Sequence, residues 1–127
     1  MGGPCRSDTI QGMTHHDWNS MAPEQLNPSM TRRAIHTHNL TIARLEIRKD
    51  GVVPEHHHVH EQVATVERGA LKFHIEGRDL VLRAGESLAI PSNVPHAVVA
   101  LEDTVVVDVF SPAREDWLRG DDAYLRK

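Results

Sequence analysis

The chain has almost no cysteine. Cys5 is the single one, so no internal disulfide can form, and a reducing, cytoplasmic setting is expected. Runs of Lys and Arg never exceed two residues and the formal net charge is −4. The chain therefore lacks the basic stripe that neutralises phosphates, and no nucleic-acid partner is expected. There is no apolar stretch near the roughly 18 residues that would span a bilayer, so no membrane partner is expected either. The opening MGGPCRSDTIQG has no apolar core of a secretory signal. Internal repeats and low-complexity tracts are absent. Pro23 and Pro28 exclude a long helix through residues 14–30.

What is present fits one domain of modest core. At 127 residues the chain can bury a single core, and pairing into a homodimer would add buried surface. Residues 1–30 read as an N-terminal tail and arm. The Gly, Pro and Ser content of 1–12 suggests a disordered tail, with Met13 as the expected functional start. The arm would pack Trp18, Met21, Leu26 and Met30, with one helical turn around Ala22–Leu26. Residues 31–111 carry the pattern of short strands. Thr31–His36 and Leu40–Arg48 would pair around a His-Asn turn, the second with Thr41, Ala43, Leu45 and Ile47 on one face. Asp50-Gly51 makes a turn, and Val63–Val66, Ala70–Ile75, Asp79–Leu82, Ser87–Ile90, Ala97–Leu101 and Thr104–Phe110 follow. Strands this short, joined by turns such as Glu76-Gly77-Arg78 and Glu102-Asp103, predict an all-β antiparallel sandwich or barrel. Residues 112–127 read as a helical tail, starting at Pro112, with Trp117 and Leu118 facing the barrel.

Four histidines fall within residues 56–60, interrupted only by Val59. A neutral imidazole offers one ring-nitrogen lone pair, which makes histidine the commonest metal ligand. On a strand, His56 and His58 share a face and His57 points away; His60 would join them if the strand stayed regular. A metal needs donors from several directions, and His96, after the Pro91–Pro95 turn, is the distant donor. Imidazoles at their ordinary pKa would release the ion below pH ~6.5. His15 and His16 in the arm, and His36 and His38 beside a strand, also have spacings that bind metals, but read better as solvated surface residues.

The stretches GVVPEHHHVHEQVATVERG (51–69) and GESLAIPSNVPH (85–96) resemble the two signature motifs of the cupin superfamily. In the first, His56-His57-His58 supplies the His-X-His, Gln62 follows His58 with three residues between them, and Gly69 closes it. In the second, Gly85, Pro91 and His96 fall in register. Gly51 stands one residue close, Gln62 stands for the usual Glu, Asn93 for Gly and Ala100 for Asn. The resemblance implies a cupin jelly-roll barrel and one divalent transition metal held by His56, His58, Gln62 and His96. Glu61 is the competing oxygen donor, but on a strand it faces away from Gln62. Three imidazoles and an amide form a neutral set, so the ion keeps its full charge and suits an anionic ligand. Zinc, nickel, manganese, iron and copper all fit these donors.

In TVVVDVF, alternation puts Val106, Asp108 and Phe110 on one face. A carboxylate there is costly unless paired or functional. Asp108 therefore reads either as a partner of Arg114 or as a general acid/base aimed into the metal cavity. Phe110 offers an apolar wall for a sugar ring, and Arg114 a bidentate grip on a carboxylate. DVFSPAREDW (108–117) and PEHHHVHEQ (54–62) are similar to the KdgF-type pectin-degradation cupins, with Ala113 a departure. That resemblance implies that Asp108, Phe110 and Arg114 line the metal pocket. It further implies an enzyme that opens 4,5-unsaturated uronates, anionic sugar acids, into linear keto-uronates. Other metal-dependent chemistry in the same pocket, as in a dioxygenase or a polyketide cyclase, stays open. So does a non-catalytic small-molecule-binding module.

Overall fold

A computed structural model of the chain describes residues 7–127. Cys5 and the first half of the expected disordered tail lie outside the described residues. The strands are β1 (Ser7–Ile10), β2 (Met13–His16), β3 (Glu24–Asn27), β4 (Met30–His36), β5 (Thr41–Ile47) and β6 (Val52–His56). They continue as β7 (Glu61–Arg68), β8 (Ala70–Ile75), β9 (Arg78–Arg83), β10 (Ser87–Ile90), β11 (His96–Ala100) and β12 (Thr104–Ser111). A short helix α1 (Glu115–Leu118) and single 3₁₀ turns at Trp18–Ser20 and Ala123–Leu125 complete the described chain. Among the described residues no helix is long and apolar enough to cross a membrane.

Two antiparallel sheets face each other as a jelly roll. One runs β10-β7-β12-β5-β4-β3 and the other β6-β11-β8-β9. β1 and β2 form a separate hairpin. The strand pattern explains the layering. In β5, Thr41, Ala43, Leu45 and Ile47 are buried while Ile42, Arg44 and Glu46 turn outward. Ala43, Leu45 and Ile47 meet Val53, Leu71, Phe73 and Leu82 of the opposite sheet in one core, the aligned packing that alternating strands produce. Gly69 joins β7 to β8 at φ +93°, and an added Cβ there would lie 2.4 Å from the Asp103 carbonyl. Only glycine fits that left-handed, crowded corner.

The N-terminal third differs from expectation. Ser7–Ile10 and Met13–His16 pair around Gln11-Gly12, where a disordered tail was expected through residue 12. The expected helical turn at Ala22–Leu26 is strand β3, and the helical turn lies earlier, at Trp18–Ser20. β3 pairs with β4, so the six-stranded sheet begins before residue 31. Pro23 and Pro28 flank β3 instead of interrupting it, the positions at which proline's missing N–H does not break a ladder. At the other end, Trp117 is buried as expected but Leu118 is 65% exposed. A single helical turn cannot aim two adjacent side chains at the same surface.

The tail is clamped across the barrel by charge. Asp122 is fully buried and accepts from Arg32 of β4 at 2.9 Å and from Arg126 at 2.9 and 3.1 Å. Glu24 of β3 bonds both of the same arginines, at 2.8 and 2.6 Å. Arg32, itself 5% exposed, also lies 4.3 Å from the Trp117 ring centroid. Removing one member of such a buried pair leaves an uncompensated charge. Asp122→Ala is therefore expected to lower unfolding free energy by on the order of 3 kcal/mol in urea titrations. Glu67→Ala, which breaks the exposed Arg44–Glu67 pair, should change it by less than about 1 kcal/mol.

Candidate metal centre

His56 closes β6, His96 opens β11, and the two are direct register partners across the small sheet. β6 ends at His56, so His58 is presented by the connecting loop and not by a continuous strand. That loop is pinned by the second motif. The Asn93 N–H donates to the His58 carbonyl at 2.8 Å, and Ser92 Oγ donates to the Val59 carbonyl at 2.6 Å. Asn93 sits at φ +64°, the left-handed region that glycine adopts freely and asparagine tolerates. Among the described residues, the ligand atoms of His56, His58 and His96 all lie within 4.8 Å of one another.

Each of the three imidazoles is oriented by its own backbone. Nδ1 of His56 meets the Pro54 carbonyl at 2.8 Å, that of His58 the His60 carbonyl at 3.0 Å, and that of His96 the Val94 carbonyl at 2.8 Å. A carbonyl only accepts, so Nδ1 carries the hydrogen and Nε2 keeps its lone pair. Burial disfavours the charged ring and brings both His56 and His58 down to about 4; the neighbouring histidines and Arg114 push the same way. His96 is lowered for the same first reason. All three are neutral, and therefore metal-competent, at neutral pH.

Gln62, on β7, is buried, whereas Glu61 is exposed. The Gln62 side chain faces the Asp108 carboxyl and works to lower its pKa, and its Oε1 is buried without a hydrogen-bond partner. Nε2 of His58 and of His96 are likewise buried and unpartnered. Buried acceptors left in that state are costly. A divalent cation would satisfy all three, so His56, His58, His96 and Gln62 fit such an ion. His60 turns elsewhere, with Nε2 3.8 Å from Asp116 Oδ1. His36 bonds Thr41 through Nδ1 at 2.8 Å. His38 is exposed, and neither His15 nor His16 joins the cluster.

The cavity beside the histidines has a volume of about 50 Å³ and is lined by His56, Gln62, His96, Asp108, Phe110 and Arg114 among others. Asp108 stands on β12 between Ala43 and Ala64 of the flanking strands. Its Oδ1 is buried and unpartnered. Burial raises its carboxyl to about 7, against the lowering influence of the Gln62 side chain and of Arg114. A carboxyl ionising there exchanges protons in both directions at neutral pH.

The alternative pairing of Asp108 with Arg114 is not what the side chains do. Arg114, 1% exposed, directs Nε and NH2 to Asp116 at 3.0 and 2.9 Å, and NH2 also to the Tyr124 hydroxyl at 3.0 Å. The bidentate edge foreseen for a substrate carboxylate is thus occupied. The guanidinium lies 4.6 Å from the Phe110 centroid and 4.4 Å from that of Trp117. Phe110 lines the cavity but shares its faces with Arg114, Trp117 and His58. Asp116 and Tyr124 have no place in the motif reading. Asp116 sits two residues beyond Arg114, and Tyr124 is the chain's single tyrosine. Neither spacing signals a role without the folded tail.

A family model described as the cupin domain matches residues 43–110. The pectin degradation protein KdgF of Dickeya dadantii is 39% identical over 66 residues, which cover 51% of this chain and 60% of that protein. The match thus spans less than two thirds of the curated relative. The structure of KdgF from Halomonas sp. superposes with a TM-score of 0.75 at 30% identity, over 80% of this chain and 96% of that one. An RmlC-like cupin from Shewanella frigidimarina gives 0.75 at 29% identity, over 80% and 92%.

Metal analysis of the purified protein is expected to find about one divalent ion per chain, lost on changing His56, His58 or His96 to Ala. The lowered imidazole pKa values move the acid release of that ion down from pH ~6.5 toward about 4. They also set the pH response of the metal-free protein. The unfolded chain takes up these protons near pH ~6.5 and the folded one only near about 4. Stability is then complete above the unfolded value and falls as pH drops through this window. Melting temperatures of the chelated protein should fall in that interval, and a flat profile there would contradict neutral, buried imidazoles.

Proposed function

The chain belongs to the cupin domain family, and from that premise we propose that it is a metal-dependent enzyme that opens the ring of 4,5-unsaturated uronates. The observation that carries this reading is Asp108, a carboxyl that burial raises and that lines one cavity with His56, His96 and Gln62. A module that only bound a sugar acid would gain nothing from an anion-capable group placed there. The likeness to two KdgF proteins, one of them named for pectin degradation, supports the substrate class.

His56, His58, Gln62 and His96 would hold one divalent ion, which when bound supplies Lewis acidity toward an anionic oxygen. The remaining work falls to the chain. Opening a cyclic unsaturated uronate is an isomerisation, with no net redox change. The hydroxyl on the anomeric carbon loses its proton, a carbonyl forms there, and the bond from that carbon to the ring oxygen breaks. The enolate so released takes a proton on the former alkene carbon and becomes a ketone. One proton is removed and one is returned, and Asp108, ionising near neutrality, serves both transfers. Arg114 contributes positive field toward the substrate carboxylate rather than a fork, since its fork is held by Asp116. Phe110 gives the cavity an apolar wall.

The test compares wild type with Asp108→Asn in melting temperature, metal content and rate of unsaturated-uronate loss. The variant is expected to fold and hold metal yet turn over about 100-fold more slowly or worse. Wild-type turnover should rise with pH as the Asp108 carboxyl, which burial raises, ionises and becomes a base. An early-melting variant with unchanged turnover would make Asp108 structural. A wild type that binds uronate and never converts it would leave a binding module. Gln62→Glu, which brings an anion to the neutral donor set, is expected to weaken uronate binding in calorimetry while retaining the metal.

A further inference from the structure

We propose that Tyr124 is a positioning residue that holds the His56 imidazole and the Arg114 guanidinium in fixed relation across the cavity. Its ring stacks on that of His56, with centroids 4.5 Å apart and planes 28° from parallel. Its hydroxyl accepts from Arg114 NH2 at 3.0 Å. A guanidinium only donates, so the phenol oxygen is the acceptor there. One side chain thus touches a ligand histidine on one side of the cavity and the buried cation on the other.

His56 is the imidazole that most needs such a contact. His96 is 1% exposed and His58 9%, and the Phe110 ring meets His58 in a T-shaped pair. His56 ends its strand half-buried, and its bond to the Pro54 carbonyl lies at the surface. That bond fixes the direction of Nδ1, and the tilted His96 ring meets the His56 ring at 4.3 Å. Tyr124 is the stacked partner, which holds the plane of the ring. Arg114 poses the matching problem at the cation. Asp116, on the same turn of the tail, grips one edge of the guanidinium, and Tyr124 adds a contact from ten residues further on. Tyr124 is itself anchored on both sides. Asp122 is buried between Arg32 and Arg126, and Leu125 sits in the core with its carbonyl accepting from Asn27 at 2.8 Å. Ala123–Leu125 packs directly on β6, so the phenol is delivered to His56 by the fold.

The inference rests on the functional reading for its uronate arm and not for its metal arm. Cobalt(II) is the probe of the metal arm, since its visible bands report ligand geometry and chelator competition gives affinity. Tyr124→Phe keeps the stack and loses the hydroxyl. Cobalt affinity and spectrum should match wild type, while KM for an unsaturated monouronate rises about tenfold with kcat little changed. Tyr124→Ala loses both contacts. Its cobalt affinity should also fall about tenfold, with shifted bands, as when a group orienting a ligand is removed. A Tyr124→Ala protein with wild-type cobalt affinity and spectrum would overturn the proposal. So would a Tyr124→Phe protein as weak for cobalt as Tyr124→Ala, or one with wild-type KM. A wild type that binds cobalt but never converts uronate would sink the enzyme reading, and the cobalt comparison would still decide for or against Tyr124.

Discussion

Three hydrogen bonds from imidazole Nδ1 to backbone carbonyls govern this molecule's cavity. They involve Pro54, His60 and Val94, and every one fixes a tautomer as well as a ring orientation. Without them the Nε2 lone pairs would have no reason to converge, and burial alone would make three neighbouring imidazoles a liability. The fold is built to keep those carbonyls in place. β6 stops at His56 so that the loop can turn His58 inward, and the second motif's turn holds that loop through Asn93 and Ser92. The two motifs, far apart in the chain, therefore form one mechanical unit.

The second constraint is the balance of buried charge. Arg114 is almost fully enclosed, and its charge is met by Asp116 and Tyr124 within the same tail. Asp108 consequently feels that cation only through space, with Gln62 beside it as the nearer stabilising group. Had Arg114 paired with it directly, the carboxyl would be held ionised and lose its value as a proton donor. Trp117, with Arg32 and Arg114 at 4.3 and 4.4 Å, keeps the two cations apart and ties the tail's packing to the cavity wall. The tail beyond the barrel is thus part of the site.

Legibility in the sequence follows signal strength. β5 reads clearly because seven residues alternate without exception between core and outside, and the His and Gly positions of the two motifs read clearly because turns constrain spacing. β2 and β3 do not. Both are four residues long with one apolar residue each, and Pro23 and Pro28 bound β3, so the period is too short to distinguish strand from irregular arm. His60 shows the limit of counting. Strict alternation would add it to the metal group, but the strand ends at His56, and the loop sends it toward Asp116.

By itself the sequence determined the all-β class, the two histidine-bearing motifs and the placement of Asp108 on an otherwise apolar strand, because these depend on local period and spacing. It also determined that Gln62 and Glu61 face opposite ways, since adjacent strand residues always do. Only the tertiary structure decided what each charged group meets. That Arg114 turns to Asp116 and not to Asp108, that Asp122 locks Arg32 ninety residues away, and that a tail tyrosine stacks on His56 all depend on where the last sixteen residues fold back. The physical reason is range. Backbone preference acts over a few residues, whereas the desolvation of a buried charge is settled by whichever partner the completed fold brings within hydrogen-bonding distance.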